Sequence, residues 1–262
     1  MNRPHKLRAI MLDWAGTTVD HGSIAPVLAL QTLFANHAIA LTAEDARRGM
    51  GLLKHDHIRT VSRAAPHSAA VARNHQANPT ETEVDSLFHE FGPLQMQIIV
   101  QHSQLIAGAA ETVKKWQDRG LRIGTTTGYT REMLVPVLQL AAEGGYRPDA
   151  SVCPDEVTAG RPAPWMLMRN AELLNVYTPS SCVKIGDTIS DIEEGRNAGM
   201  WTIGLTRTGN LIGLDAVSWA QLSAAEKDTH LKKAEEIMRD AGADFVAQFI
   251  TGCDQILTLI ER

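Results

Sequence analysis

From Ile106 to Leu205 the sequence alternates between helical and strand-like segments, and this alternation constrains the fold more than any other feature. Amphipathic spacing predicts helices over residues 109–119, 131–142, 165–174 and 191–198. Short apolar runs between them predict strands over 121–126, 151–153, 182–186 and 201–205. Strand and helix in turn specify a parallel sheet with helices on its faces. The apolar run ahead of Asp13 supplies one more strand. A charged amphipathic helix over 224–241, then a short strand and a last helix between 244 and 262, complete the pattern.

Residues 21–100 break the alternation, being helical in character with no convincing strand. Thr42-Ala-Glu-Asp45 and Thr80-Glu-Thr-Glu83 resemble capping boxes, in which a hydroxyl and an acid satisfy the free N–H groups of a helix start. The first predicts a short helix ending at Gly49. The second predicts an amphipathic helix that Gly92-Pro93 should break or kink. The chain therefore divides into a core of residues 1–20 and 101–262 with an inserted helical domain over 21–100.

Composition narrows the function classes. The 262 residues, 44% hydrophobic, suffice for a packed core, and a net charge of −5 offers no basic excess for nucleic acid. Cys153, Cys182 and Cys253 are odd in number and lack metal-ligand spacing, which suits a reducing compartment. The basic start Met-Asn-Arg-Pro-His-Lys leads into an apolar run that Asp13 interrupts, and no stretch is long enough to span a membrane. These features predict a soluble cytoplasmic protein with neither nucleic-acid nor membrane partners.

Several strand ends carry chemistry. Asp13 is followed by Ala15-Gly16-Thr17-Thr18, a second strand ends in Thr125-Thr126-Thr127-Gly128, and a third in Gly186-Asp187-Thr188 with Asp191 beyond. Gly160-Arg161-Pro162 lies in a loop between the last two. Ligands of open α/β sheets sit outside the carboxyl ends of the strands, so these groups can converge on one crevice. Asp13 and Asp187 offer hard oxygens for Mg²⁺, and Arg161 offers a planar fork for phosphate oxygens. A carboxylate attacking a dianionic phosphoryl group needs both cations to offset repulsion.

Asp13-x-x-Gly-Thr, the strand-terminal Thr, the basic residue Arg161 and Gly186-Asp187-Thr-x-x-Asp191 resemble the motifs of the haloacid dehalogenase superfamily. The resemblance implies an α/β fold, a Rossmann-like parallel sheet core of the haloacid dehalogenase type with an inserted α-helical cap domain. Most phosphatases of that superfamily carry a second Asp two residues after the nucleophile, as general acid and base; here Ala15 stands there. A narrower resemblance accommodates this change. Asp13-Trp-Ala-Gly-Thr-Thr-Val-Asp20, Met50-Gly-Leu-Leu-Lys54-x-Asp-His57, Thr126-Thr-Gly-Tyr-Thr-Arg-Glu-Met133, Gly160-Arg-Pro-x-Pro-Trp-Met166 and Gly186-Asp-Thr-x-Ser-Asp191 closely resemble the phosphonoacetaldehyde hydrolase family.

That resemblance implies hydrolysis of the carbon–phosphorus bond of phosphonoacetaldehyde, in 2-aminoethylphosphonate degradation. Lys54 would form a Schiff base with the aldehyde, and Asp13 would attack phosphorus to give an aspartyl phosphate. Electrons left on carbon need a sink rather than a proton donor, which accounts for Ala15. It further implies a small phosphonate as substrate, Mg²⁺ held by Asp13, the Ala15 carbonyl and Asp187, and phosphonate bound by Thr127, Arg161 and Gly51. A homodimer is also implied. Met50 and His57 each admit a packing or a catalytic role, His57 as a proton shuttle. Asp191 admits helix capping or outer-shell support of the metal. Thr126 competes with Thr127 for the phosphate, and Thr127, directly before Gly128, is preferred. Two other functions are weighed against this one: a phosphate-ester phosphatase or phosphomutase, which Ala15 and the Lys54 segment oppose, and a non-catalytic phosphate-ligand sensor, which retention of Asp13, Lys54 and Asp187 opposes.

Overall fold

The computed structural model describes residues 6–64 and 79–262. The expectation for the basic N-terminal residues 1–5, and the part of the helical expectation covering 65–78, lie outside the described residues. The elements follow in the order β1 (Ala9–Leu12), α1 (Ile24–Asn36), α2 (Ala43–Ala46), α3 (Lys54–Ala64), α4 (Glu81–His102), α5 (Ala109–Asp118), β2 (Arg122–Thr126), α6 (Arg131–Glu143) and β3 (Ala150–Val152). The chain continues with α7 (Trp165–Leu173), β4 (Cys182–Gly186), α8 (Ile189–Asn197), β5 (Trp201–Leu205), α9 (Ala216–Gln221), α10 (Ala224–Asp240), β6 (Phe245–Ala247) and α11 (Cys253–Ile260).

The strands form one sheet in the order β3-β2-β1-β4-β5-β6, parallel at every pairing, as the alternation requires. Strand order reverses between β1 and β4, and the crevice at such a switch point is where open α/β sheets hold ligands. Asp13 follows β1 and Asp187 follows β4, so the two carboxylates meet there by topology alone. All of β1 is buried, and its side chains separate with a period of two. Ile10 and Leu12 join the larger core with Val113, Trp116 and Leu134. Ala9 and Met11 join the opposite one with Leu167, Ala171 and Met200. Each large side chain so buried contributes about 1.5–3 kcal/mol, and together they fix the sheet that aims Asp13.

Between β1 and α5 every described element is a helix, with α1 and α3 packed on α4. The full capping box forms at Thr80, whose hydroxyl accepts from the Glu83 N–H while Glu83 accepts from the Thr80 N–H. At Thr42 the hydroxyl accepts from the Asp45 N–H, but α2 ends at Ala46 and the chain turns through Gly49 and Gly51, both at positive φ. Of the break or kink expected at Gly92-Pro93, the break does not occur: α4 is one helix over Glu81–His102 with Pro93 inside it. Proline removes one N–H and crowds the carbonyl of His89, which is exposed and free to turn toward solvent. Phe91, Gln95 and Ile99 are buried on either side of the proline, so packing on the rest of the protein spans it. Helix α8 begins two residues before Asp191, because Thr188 caps it.

Candidate active site

The ten residues singled out from sequence do not all occupy the same shell. Asp13, Ala15, Met50, Gly51, Lys54, Thr127 and Arg161 line one cavity at the carboxyl ends of β1, β2 and β4, together with Tyr129 and Thr188. His57, Asp187 and Asp191 are buried but are not among the lining residues.

Arg161 is the hinge of the electrostatics. Its Nη2 donates to Asp13 Oδ1 at 2.7 Å, Nη1 pairs with Asp191 Oδ1 at 3.0 Å, and Nε donates to Glu194 Oε2 at 3.0 Å. Lys184, fully buried in β4, sets its ammonium 2.8 Å from Asp191 Oδ1 and 3.4 Å from Glu194 Oε2. Thr126 Oγ1 accepts from Arg161 and Lys184 and donates to Glu194. Thr126 is thus consumed by this network, whereas Thr127 lines the cavity and its hydroxyl accepts from the Tyr129 N–H. Asp191 caps α8 through Thr188, as the capping reading expects, and its carboxylate also pairs with both cations. Burial raises its carboxyl, but Arg161 and Lys184 outweigh that and hold it below its ordinary value.

Asp13 and Asp187 shift the other way. Burial, then the neighbouring carboxylate Asp191, raises Asp13 against the pull of Arg161; burial, then Asp13 and Asp191, raises Asp187 well above the usual carboxylate range. Asp187 is held by Thr17 Oγ1 at 3.3 Å, Ser23 Oγ at 3.0 Å and the Asn210 N–H at 2.7 Å. Gly16 is obligatory beside it, since a Cβ there would lie 2.2 Å from Asp187 Oδ2. Oxygens of Asp13, Asp187 and Asp191 lie within 4.8 Å of one another. Four buried carboxyl groups, Asp13, Asp187, Asp191 and Glu194, gather here; Arg161 and Lys184 pair directly with Asp13, Asp191 and Glu194, and no ion pair is made to Asp187 among the described residues. An all-oxygen donor set crowded with buried carboxyl groups fits a hard divalent cation.

Lys54 starts α3 and is buried. Its Nζ lies 5.3 Å from the centroid of the Tyr129 ring. Burial pushes its ammonium down to about 8, against the opposing pull of Asp13 and with help from Arg161. The turn that delivers it needs Gly51, at φ +90°, where a Cβ would come within 2.5 Å of Thr188 Oγ1. Ser190 Oγ donates to the Met50 carbonyl at 3.4 Å, so this turn docks directly on the first turn of α8. His57 Nε2 bonds the Ala46 carbonyl at 2.9 Å and therefore carries the ring proton. Burial, then Lys54, pushes the imidazole down to about 3, so it is neutral at physiological pH.

Sequence reasoning missed Lys184, Glu194, Ser23 and Asn210, and Tyr129 entered it only as part of a family motif. Lys184 carried a signal, being a lone charge inside an apolar strand. Glu194 stands one helical turn beyond Asp191 on the same face of α8. Ser23 and Asn210 gave no local sign, because only the fold brings them to Asp187.

A model of the haloacid dehalogenase-like hydrolase family matches residues 7–199. A phosphonoacetaldehyde hydrolase-like protein of Syntrophobacter fumaroxidans is 41% identical over 96% of this chain and 91% of its own length. A phosphonoacetaldehyde hydrolase of Bacillus cytotoxicus is 39% identical over 98% of this chain and 97% of its own. The solved structure of a phosphonoacetaldehyde hydrolase-like protein from Oleispira antarctica superimposes with a TM-score of 0.94 at 37% identity, over 99% of this chain and 94% of that one. The parallel sheet, the acidic crevice and these relatives agree: the chain is a haloacid dehalogenase-like hydrolase and belongs to the phosphonoacetaldehyde hydrolase family.

Proposed function

We propose that the chain hydrolyses phosphonoacetaldehyde to acetaldehyde and phosphate through a Schiff base on Lys54 and an aspartyl phosphate on Asp13. One observation carries this reading. A buried amine lowered to about 8 shares a cavity with a strand-terminal carboxylate, and the position two residues beyond that carboxylate is Ala15. A phosphate ester leaves as an alkoxide and needs a nearby acid; a phosphonate leaves as a carbanion and needs an electron sink.

Lys54, as the free amine, adds to the aldehyde and water departs, leaving a protonated imine. Asp13 attacks phosphorus, the carbon–phosphorus bond breaks, and its electron pair moves into the imine to give an enamine on Lys54. One water hydrolyses the aspartyl phosphate. Protonation of the enamine at carbon and hydrolysis of the imine release acetaldehyde and restore Lys54. Arg161 and Thr127 hold the phosphonate oxygens with the Gly51 backbone, and Lys184 and Glu194 keep Arg161 aimed. Asp13, Asp187 and the Ala15 carbonyl would hold Mg²⁺, with Asp191 behind them, and the ion's chemistry is to neutralise phosphoryl charge. His57, one turn after Lys54, is buried, neutral and outside the cavity lining, which favours its packing role over the proton shuttle, and Met50 packs the turn that seats the amine.

Residues 21–100 act in this reading as a cap over the core 1–20 and 101–262. The cavity holds about 20 Å³, space for about one water, which supports a cap that moves to admit substrate. Assembly as a homodimer rests on the family resemblance. A cytoplasmic location is supported by three buried, unpaired thiols, and no helix of the described residues is long and apolar enough to cross a membrane. Supplying phosphonoacetaldehyde and Mg²⁺ is expected to yield phosphate and acetaldehyde in equal amounts, with phosphate monoesters left intact. Turnover of monoesters without phosphonate cleavage would point instead to a phosphatase, and no turnover of either to a silent ligand sensor.

A further inference from the structure

Arg47 lies at the end of α2, seven residues before Lys54 and on the same helical cap, and its guanidinium reaches into the core. Nη1 donates to the Gly22 carbonyl at 2.9 Å, to Asn210 Oδ1 at 2.9 Å and to the Ser23 carbonyl at 3.4 Å, and Nη2 donates to the Gly213 carbonyl at 2.9 Å. None of these acceptors is a carboxylate, so the direct contacts are made by the geometry of the fork, while Asp187 and Asp20 are near enough to favour its charge. The core is shaped to admit it: a Cβ on Gly213 would lie 2.5 Å from the guanidinium.

Two residues gripped by Arg47 also grip Asp187. Asn210 accepts from Arg47 with its side chain and donates its N–H to Asp187 Oδ2 at 2.7 Å. Ser23 accepts from Arg47 with its carbonyl and donates its hydroxyl to the same oxygen at 3.0 Å. Of the three groups holding that carboxylate, only Thr17 is independent of Arg47. Meanwhile the Met50 N–H donates to the Arg47 carbonyl at 3.1 Å, so Arg47 is continuous with the turn that seats Lys54.

We infer that Arg47 is a positioning residue that couples docking of the Lys54 turn to the orientation of Asp187, and so to the affinity of the core for its divalent cation. The inference rests on the proposed metal role of Asp187. When the cap lifts, the fork withdraws from Asn210, and Ser23, which lies in the 21–100 segment itself, is drawn away with it, so Asp187 loses the support of two of its three donors. Cap closure thereby completes the amine site and the metal site in one movement.

The test is Mn²⁺ binding without substrate, read by electron paramagnetic resonance, on the wild type, Arg47→Ala, Arg47→Lys and Arg59→Ala. Arg59 pairs with Asp56 and Glu81 on the cap surface and serves as a control for general cap damage. Loss of support behind a metal ligand weakens affinity by about 10–100-fold. Arg47→Ala is expected to weaken Mn²⁺ binding at least about tenfold while Arg59→Ala matches the wild type. Arg47→Lys, which keeps the charge but not the fork, is expected to stay weak. Should Arg47→Ala fail to fold, Arg47→Lys alone decides the matter. Wild-type affinity in either folded Arg47 variant overturns the inference and leaves the metal reading standing. Absence of Mn²⁺ binding by the wild type overturns the metal reading itself and the inference with it.

Discussion

Replacing Lys184 by Met removes one of the two cations buried among Asp13, Asp191 and Glu194 while nearly preserving volume. Lys184 Nζ sits 2.8 Å from Asp191 Oδ1, 2.8 Å from Thr126 Oγ1 and 3.4 Å from Glu194 Oε2, with no exposure to solvent. Stranding a buried partner in this way costs about 3–5 kcal/mol. At about 2–4 °C per kcal/mol for a chain near this size, thermal unfolding is expected roughly 6–20 °C below the wild type. Asp191 and Glu194 then draw on Arg161 alone and compete with Asp13 for it, so kcat for phosphonoacetaldehyde falls as well. Adding Glu194→Gln removes the surplus carboxylate, and the double variant is expected to recover about 1–3 kcal/mol relative to the sum of the singles. The assay is a double-mutant cycle by calorimetry or denaturant, with steady-state kinetics on the same samples. A Lys184→Met variant within about 3 °C of the wild type, or strictly additive losses, would refute the claim that these charges act as one network.

Two further outcomes follow from the amine and its turn. Only unprotonated Lys54 attacks an aldehyde, and with its ammonium lowered to about 8 some 10% is free at pH 7 against roughly 0.04% for an ordinary lysine. Borohydride labelling of Lys54 should therefore rise with pH to a midpoint near 8. Asp13→Asn, which removes the charge that favours the ammonium, moves that midpoint down, and a wild-type midpoint at about 10 or above contradicts burial as the cause. Gly51→Ala places a methyl 2.5 Å from Thr188 Oγ1 at φ +90°. With a left-handed penalty of about 1–2 kcal/mol acting on the docked turn, KM should rise about tenfold while the unfolding temperature stays near the wild type; unchanged KM would show that the turn does not need this close approach.

What could be read from sequence was local. The strands 182–186 and 201–205 fall where the apolar runs put them, because a central parallel strand must be apolar on both faces. The conjunction of Asp13 and Asp187 was legible too, since strand-end residues of neighbouring strands have nowhere else to point. The continuity of α4 through Pro93 was not, because it depends on packing of Phe91, Gln95 and Ile99 against other elements rather than on the residues beside the proline. Likewise the partners of Asp187 come from positions 17, 23 and 210, a spacing with no local period. Lys54 was identified only through its family motif, and the burial that lowers its ammonium, at the end of a docked turn, is tertiary.

The central claim is that Lys54 carries the aldehyde while Asp13 takes the phosphoryl group. It is tested most directly by incubating the protein with Mg²⁺ and phosphonoacetaldehyde, adding borohydride during turnover and mapping the product by mass spectrometry. The account predicts a reduced two-carbon adduct, with or without its phosphonate, on the Lys54 peptide and nowhere else, with phosphate release halting as the adduct accumulates. Continued phosphate release from borohydride-treated protein, or an unmodified Lys54 in inactivated protein, would contradict it.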